Sequence, residues 1–215
     1  MIIRVSILSI LSFFAVIYSA EKSIAQSMAG LRIGDKFSMA VSKIGRQPDI
    51  SNRAGSLKIF MWRLSDKNEL HLTLSNEDKI IYMETDWNDD GGAERSDFSA
   101  FKFGQTTLID VVDKFGSLGV IFGKRPFMSQ MPGGLAWAAS YGIANTGSFA
   151  SFVTLVEKRD IAAAMKDGSD EDTTMMALRK TARLRAIIIA DSSYVGAMWG
   201  SATPIDSAYM PIKWQ

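Results

Sequence analysis

The chain of 215 residues contains no cysteine and only one histidine, His71. The absence of cysteine excludes disulfide scaffolds, iron–sulfur clusters, thiol nucleophiles and thiolate metal sites. A single imidazole excludes metal sites and catalytic arrangements that require two histidines. An excess of charge is also missing, because 24 lysines and arginines stand against 23 aspartates and glutamates. The chain therefore lacks the electrostatic footprint of a nucleic-acid-binding protein.

The N-terminus carries an apolar run that is typical of an export signal. Arg4 precedes residues 5–20, which are apolar apart from serines. Ser23 and Ala25 fit the −3 and −1 positions of a cleavage site after Ala25. An uncleaved membrane anchor is the alternative, but the run is shorter than the roughly 20 residues of a spanning helix. We therefore predict a signal peptide over residues 1–25, a periplasmic location and no membrane span in the mature chain.

Two short amphipathic helices are predicted about 70 residues apart, as in a duplicated module. Each carries apolar residues at positions i, i+3, i+4 and i+7, which form one stripe of a helix. The stripes are Phe37, Ala40, Val41 and Ile44 in the first helix and Leu108, Val111, Val112 and Phe115 in the second. Gly45 and Gly116 are the predicted ends of the helices, and Asp35 and Thr106 are the predicted N-caps.

Segments with the period-two alternation of β-strands follow each helix. In the first half they predict an antiparallel meander over residues 56–64, 69–75 and 79–87. In the second half they predict a hairpin of residues 134–143 and 148–158, with a further short strand near Val120. The stretch 88–97 is rich in glycine and charge, which is typical of a connector between two modules.

The C-terminal part departs from this repeat. Ser169 and Asp172 have the spacing of a capping box. An apolar stripe then predicts a helix that runs to about Ala190. The stripe consists of Met175, Leu178, Ala182 and Ile189. Aromatic residues in the last segment are expected to close a core over the preceding modules.

The predicted architecture is an α+β fold in four parts. A signal peptide (1–25) precedes a first helix-plus-antiparallel-meander module with its connector (26–97) and a second module (98–160). The two tandem modules place their helices on one face of the sheet. A C-terminal helical tail (161–215) packs on the modules.

The string LRIGDKFSMAVSKIGRQPDI, followed by a meander with Trp62 and an N-E-D-K turn, resembles SmpA/OmlA-like small outer-membrane-associated domains. Their opening pattern is G-M-T-x-x-E-V-x-x-x-L-G-x-P. The positions at or next to that pattern are Gly34, Ala40, Ile44, Gly45 and Pro48. Alanine replaces the valine of the pattern, Asp-Lys replaces its Met-Thr pair, and the proline comes one residue late. The tandem arrangement over residues 31–158 is similar to the beta-lactamase-inhibitor-protein-like fold, and the resemblance implies protein binding without catalysis.

Pairing of Leu64 with Glu69 across the intervening turn assigns two faces to the first meander. The buried face, packed on the first helix, then consists of Ile59, Met61, Leu70, Leu72 and Leu74. The opposite face carries the predicted partner-binding residues Phe60, Trp62, His71, Thr73, Tyr82 and Glu84. An aromatic, mildly polar face is typical of the core of a protein interface. The alternative is that the second module or the tail covers this face as a secondary core.

These features lead us to expect an exported periplasmic protein-interaction module, non-catalytic, with a binding, inhibitory or envelope-assembly role. Its expected partner is another exported or envelope protein, and no cofactor, metal site or catalytic residue is predicted. The alternative hypothesis is a hydrolase or small-molecule-binding protein with a site between the modules near His71 and Glu84. A shallow face would favour the first hypothesis, and a cleft with convergent titratable groups the second.

Overall fold

The computed structural model describes residues 27–64, 68–87, 94–95, 98, 100–166 and 170–214. The described residues form the helices α1 (Phe37–Ile44), α2 (Leu108–Phe115), α3 (Lys158–Lys166), α4 (Glu171–Thr181) and α5 (Ser192–Met198). The strands are β1 (Ile50–Ala54), β2 (Leu57–Arg63), β3 (Glu69–Leu74), β4 (Ile80–Asp86), β5 (Glu94–Arg95), β6 (Lys102–Phe103), β7 (Val120–Phe122), β8 (Met128–Met131), β9 (Gly134–Ile143), β10 (Ser148–Glu157), β11 (Arg183–Asp191) and β12 (Ala202–Pro204). The predicted signal peptide, most of the predicted connector and Ser169 lie outside the described residues.

A single ten-stranded antiparallel sheet connects both halves of the described chain. Its strand order is β1-β2-β3-β4-β11-β10-β9-β7-β12, and β8 also pairs with β9. The first meander joins the second half where β4 pairs with β11. This mixture of helices with an antiparallel sheet confirms the α+β class, whereas the tandem-module arrangement stays a prediction.

Both predicted amphipathic helices are present, and each ends at the predicted glycine. Gly45 and Gly116 adopt the left-handed conformation, at φ 80° and 69°, which glycine reaches without steric cost. The predicted N-caps are wrong. Lys36 caps α1 without a side-chain hydrogen bond, because the Asp35 carboxylate accepts the Arg32 N–H at 3.0 Å instead.

The second helix begins one residue later than predicted, at the cap Thr107. Its hydroxyl accepts the Asp110 N–H at 3.3 Å, and the Asp110 carboxylate accepts the Thr107 N–H at 2.7 Å. This reciprocal pair forms a capping box. Thr106, the predicted cap, instead accepts a hydrogen bond from the Lys102 N–H.

The register between β2 and β3 differs by one residue from the predicted register. Arg63 pairs with Glu69, and the Leu64 N–H donates to the Asn68 carbonyl at 2.8 Å. The chain therefore turns one residue sooner than the pairing of Leu64 with Glu69 requires. Because successive side chains on a strand point to opposite faces, this shift exchanges the faces of every β2 residue.

The predicted helix over the C-terminal part is wrong beyond Thr181. Ala182 is extended, at φ −64° and ψ 114°, and the chain continues as β11 in the centre of the sheet, between β4 and β10. Its run Ile187, Ile188 and Ile189 is buried on both faces of the sheet. A strand buried on both faces has a continuous apolar sequence, which periodicity alone does not separate from a buried helix.

The sheet has a core on each face, which we call the first face and the second face. On the first face, residues of α1, α2 and α4 pack with Leu72, Phe152 and Ile187. On the second face, Val195 of α5 packs with Ile188. The helices α1 and α2 of the two predicted modules therefore lie on the same face of the sheet, whereas α5 of the C-terminal segment lies on the other. No helix in the described part of the chain is long and apolar enough to cross a membrane.

Candidate functional site

Four titratable side chains meet on the second face, where β3 pairs with β4. We call Glu69, His71, Glu84 and Asp86 the acid–histidine cluster. Glu69 lies opposite Asp86 in the antiparallel register, and His71 lies opposite Glu84. Residues two apart on a strand share a face, and residues directly opposite each other are neighbours. The pairing of these two strands is therefore sufficient to bring the four side chains together.

His71 lies between two carboxylates of the cluster. Its Nε2 atom is 3.1 Å from Glu69 Oε2 and 3.4 Å from Asp86 Oδ2. The three side chains keep 29%, 30% and 31% of their surface exposed, so an ion from solvent can reach them. One imidazole nitrogen and two carboxylate oxygens, all within 4.8 Å of one another, form a set that could hold a metal ion.

The carboxyl groups of the cluster are crowded. Burial, together with the nearby Glu84 and Glu69 carboxylates, raises the pKa of the Asp86 carboxyl from 3.8 to about 8. Glu84 shares a hydrogen bond with Asp86 and also accepts one from the Tyr82 hydroxyl. Burial raises the pKa of Tyr82 as well, so this hydroxyl stays a donor at neutral pH. The Asp86 carboxyl therefore holds its proton more strongly than an isolated aspartate does.

Arg125 brings a positive charge to the same face from the loop between β7 and β8. Its guanidinium lies 4.1 Å from the centre of the Trp199 ring and donates to Ser151 Oγ at 3.4 Å. Burial lowers the pKa of Arg125, while the nearby Tyr82 and Glu84 side chains oppose that shift. An arginine remains protonated under physiological conditions, so a partly buried positive charge faces Glu84.

A groove of about 820 Å³ opens beside the cluster. Glu84 and Asp86 of β4 line it, and the pairing of Asp86 with Ala186 and of Ala186 with Val153 provides an apolar floor across β11 and β10. Lys158, Arg159 and Arg185 add positive charge to the lining, and the Glu157 carboxylate is 2.9 Å from the Arg159 guanidinium. The groove thus combines acidic, basic and apolar surface at the junction of the two halves of the sheet.

The structure contradicts the predicted position of Phe60 and Trp62. Both lie on the first face, where the Phe60 ring stacks on Phe37 at 4.3 Å between centroids. Trp62 is fully buried, and its indole N–H donates to the Arg46 carbonyl at 3.1 Å. The one-residue register shift is the cause, and it moves Ile59 and Met61 to the second face instead.

Thr73 and Tyr82 lie on the second face as predicted, but the C-terminal segment covers them. Thr73 is only 5% exposed. The Tyr82 ring packs against Tyr194 and Trp199, with centroids 5.3 and 6.3 Å away. These contacts follow the alternative in which the tail covers part of the face. His71 and Glu84 remain half-buried at the cluster, and a role of any of these residues in partner binding stays a prediction.

Sequence reasoning missed three residues of the site: Glu69, Asp86 and Arg125. The first two carry a signal, because Glu69 and His71, like Glu84 and Asp86, are spaced two apart on strands that are predicted to pair. Following that alternation one step further along each strand would have included both carboxylates. Arg125 lies in a loop whose path depends on packing against Trp199, and its sequence carries no comparable signal.

Comparison with known proteins finds likenesses among solved structures. No family model and no curated protein matches the chain. A cysteine-rich secretory protein from Staphylococcus aureus is 10% identical, with a TM-score of 0.46 over 87% of this chain and 52% of that chain. An extracellular protein with an SCP domain from Bacillus anthracis is 10% identical, with a TM-score of 0.41 over 76% of this chain and 45% of that chain.

The chain spans about half the length of each of these two proteins. Both are described as secretory or extracellular proteins, and that description belongs to them. Likenesses of this size carry no argument about function, and neither bears on the resemblance to SmpA/OmlA-like domains. The function of the site therefore has to follow from the geometry of its own residues.

Proposed function

We propose that the protein is an exported binding protein that holds a small polar ligand in the groove on the second face. The observation that carries this proposal is the convergence of Glu84, Asp86 and Arg125 on a groove of about 820 Å³. That volume lies in the range of small-molecule sites, which combine an apolar lining with a few convergent polar groups. Burial of Trp62 and Thr73 removes two of the residues that the sequence predicts at a protein interface.

The lining indicates the chemical class of the ligand. Glu84 and Asp86 suit a cationic or hydrogen-bond-donating group, whereas Lys158 and Arg185 suit an anionic one. Ala186 and Val153 lie between the charged groups of the lining and suit a short apolar part of the ligand. A zwitterionic small molecule with an apolar portion satisfies all three parts of the lining.

The surroundings of His71 favour a binding role over a catalytic one. His71, the only histidine, is hydrogen-bonded to the Glu69 carboxylate rather than to a hydroxyl group that it could activate. Its other close neighbour is the Asp86 carboxylate. A base held between two carboxylates is positioned to bind a cation or a donor group.

A thermal-shift screen with zwitterionic compounds, among them amino acids, dipeptides and choline derivatives, tests the groove. We expect one class to raise the melting temperature of the wild-type protein. Val153→Trp should abolish that response, because the indole fills the groove above the partly exposed Val153. Ile121→Trp is the matched control, since Ile121 is 38% exposed on β7 outside the groove lining. An identical response of both variants would place the ligand elsewhere.

Export is a separate part of the proposal, and it rests on the apolar run at residues 5–20. Mass spectrometry of protein from the periplasmic fraction should find a mature chain that begins at Gln26. An intact chain that begins at Met1 and stays with the membrane fraction would contradict export with cleavage and favour the membrane anchor.

The exposed strand β1 favours a second candidate, the binding of another exported protein. It lies at one end of the strand order, and all five of its residues are exposed. An edge strand of this kind can pair with an extended segment of a partner. Ile50→Lys should reduce capture of such a partner from periplasmic extract. Capture that persists in this variant would argue against β1 as the docking strand.

A further inference from the structure

The separations within the acid–histidine cluster match those between ligands of one metal ion. For metal–ligand bonds of about 2.1 Å, two ligand atoms lie about 3.0 Å apart at right angles and about 3.4 Å apart at the tetrahedral angle. His71 Nε2 is 3.1 Å from Glu69 Oε2 and 3.4 Å from Asp86 Oδ2. The backbone register of β3 and β4 already places these groups, so an ion could enter without a change of fold.

The charge distribution around these atoms calls for a cation. Glu69 and Asp86 lie directly opposite each other on neighbouring strands, an arrangement that destabilises a sheet when both groups are charged. Glu84 adds a third carboxyl group, which is hydrogen-bonded to Asp86. Arg63 approaches Glu69 only at 4.0 Å and its side chain is 64% exposed, so it neutralises little of this charge.

We infer that Glu69, His71 and Asp86 bind a divalent transition-metal ion of the zinc or manganese class. One imidazole nitrogen with two carboxylate oxygens suits these ions better than calcium or magnesium, which prefer oxygen ligands alone. Three protein ligands leave further coordination positions to water or to a second molecule. The single histidine of the chain is therefore sufficient, since only one nitrogen ligand is needed.

The surroundings contain the outer hydrogen bonds that orient metal ligands. Glu84 is hydrogen-bonded to Asp86, and the Tyr82 hydroxyl donates a hydrogen bond to Glu84. These hydrogen bonds fix the orientation of the Asp86 side chain. Asp86 also lines the groove, whereas Glu69 and His71 do not line it. The metal site is thus adjacent to the groove but does not depend on the proposed groove ligand.

Isothermal titration calorimetry on chelator-treated full-length mature protein tests the inference directly. The protein must carry no polyhistidine tag, because His71 is its only histidine. We expect zinc or manganese to bind with one ion per chain and at least about tenfold more tightly than calcium. No binding of zinc or manganese, or tighter binding of calcium, would overturn the assignment.

Variants connect the binding to the three ligands. His71→Gln and Glu69→Gln should each weaken zinc binding about tenfold or more. Glu77→Gln is the matched control, because this carboxylate lies in the β3–β4 turn, 73% exposed and paired with Lys79. Zinc affinity that is unchanged in His71→Gln would place the ion elsewhere and overturn the proposal.

Nitrogen NMR of the wild-type protein keeps the test independent of how well the variants fold. A single histidine gives one set of imidazole ¹⁵N signals, so no assignment is needed. Zinc should shift one ring nitrogen of His71 by coordination. Zinc should also bind unchanged to Val153→Trp, which separates this site from the groove ligand. An imidazole that stays doubly protonated when zinc is added would identify a histidinium clamp between two carboxylates and overturn the metal site.

Discussion

The two faces of the sheet differ in what their side chains do. On the first face, aromatic rings form a dense core, with Phe152 5.5 Å from Phe98 and 5.1 Å from Phe101 between centroids. On the second face, the smaller core beneath α5 lies next to the charged groups of the acid–histidine cluster. Because successive side chains on a strand point to opposite faces of the sheet, neighbouring residues belong to different environments. His71, for example, belongs to the cluster, while Leu70 and Leu72 on either side are fully buried in the first-face core.

The largest expected effect concerns Trp62, which the structure moves from the predicted interaction surface to the first-face core. Trp62→Ala should lower the free energy of unfolding by about 3–5 kcal/mol, because it leaves a cavity at a fully buried site. It also removes the hydrogen bond to Arg46. Chemical denaturation measures the change. A loss of unfolding free energy below about 1 kcal/mol would indicate that Trp62 is exposed and would contradict the register of β2.

Leu72→Ala and Ile59→Ala compare the two faces on adjacent strands. Leu72 is fully buried on the first face, so its truncation should cost about 2–5 kcal/mol of unfolding free energy. Ile59 is only partly buried on the second face, and its truncation should cost less because part of the side chain already contacts solvent. Urea unfolding of both variants gives the comparison. Equal losses would show that the faces do not differ in packing as described.

Asp86→Asn sharpens the electrostatic side of the comparison. In chelator-treated protein, the raised pKa of Asp86 means that stabilisation by its protonated form is complete below pH 3.8 and is lost as the pH rises towards about 8. The variant removes that dependence and should be more stable than wild type by about 1 kcal/mol above pH 8. Thermal unfolding across this pH range measures both. A variant that is less stable at high pH would contradict the crowding of carboxylates at the cluster.

The smallest expected effect is at the capping box of α2, away from the chemistry of the second face. Thr107→Ala removes the hydroxyl that accepts the Asp110 N–H and should cost about 1 kcal/mol. Thr106→Ala is the informative companion, because Thr106 was the predicted cap. Its hydroxyl instead accepts the Lys102 N–H, outside the helix. Helix-specific hydrogen exchange should increase in Thr107→Ala and stay unchanged in Thr106→Ala.

Much of the local structure could be predicted from the sequence. The amphipathic stripes followed by Gly45 and Gly116 correctly predict α1 and α2, and the alternation at residues 134–143 coincides with β9. These signals are local, because a helix stripe or an alternating strand depends on residues within one segment. The continuous apolar run around Ile188 is the instructive failure, since both of its faces are buried by parts of the chain that are distant in sequence.

The candidate site was predicted only in part. His71 and Glu84 were correctly placed on one face, because both the predicted and the observed register of β3 and β4 put them side by side. Phe60 was placed wrongly, because its face depends on a turn that is one residue shorter than assumed. Arg125 was absent from the prediction, because its position depends on a contact with Trp199, which is distant in the chain.

The sequence by itself determined the two short helices, most strands, the even charge balance and the lack of thiol chemistry. Only the tertiary structure decided that β11 lies at the centre of the sheet, that α5 covers Tyr82, and that Glu69 and Asp86 meet at His71. The physical reason is that periodicity states which residues share a face, whereas the choice of partner strand and of register depends on long-range burial. A change of register by one residue is enough to exchange a core residue for a surface one.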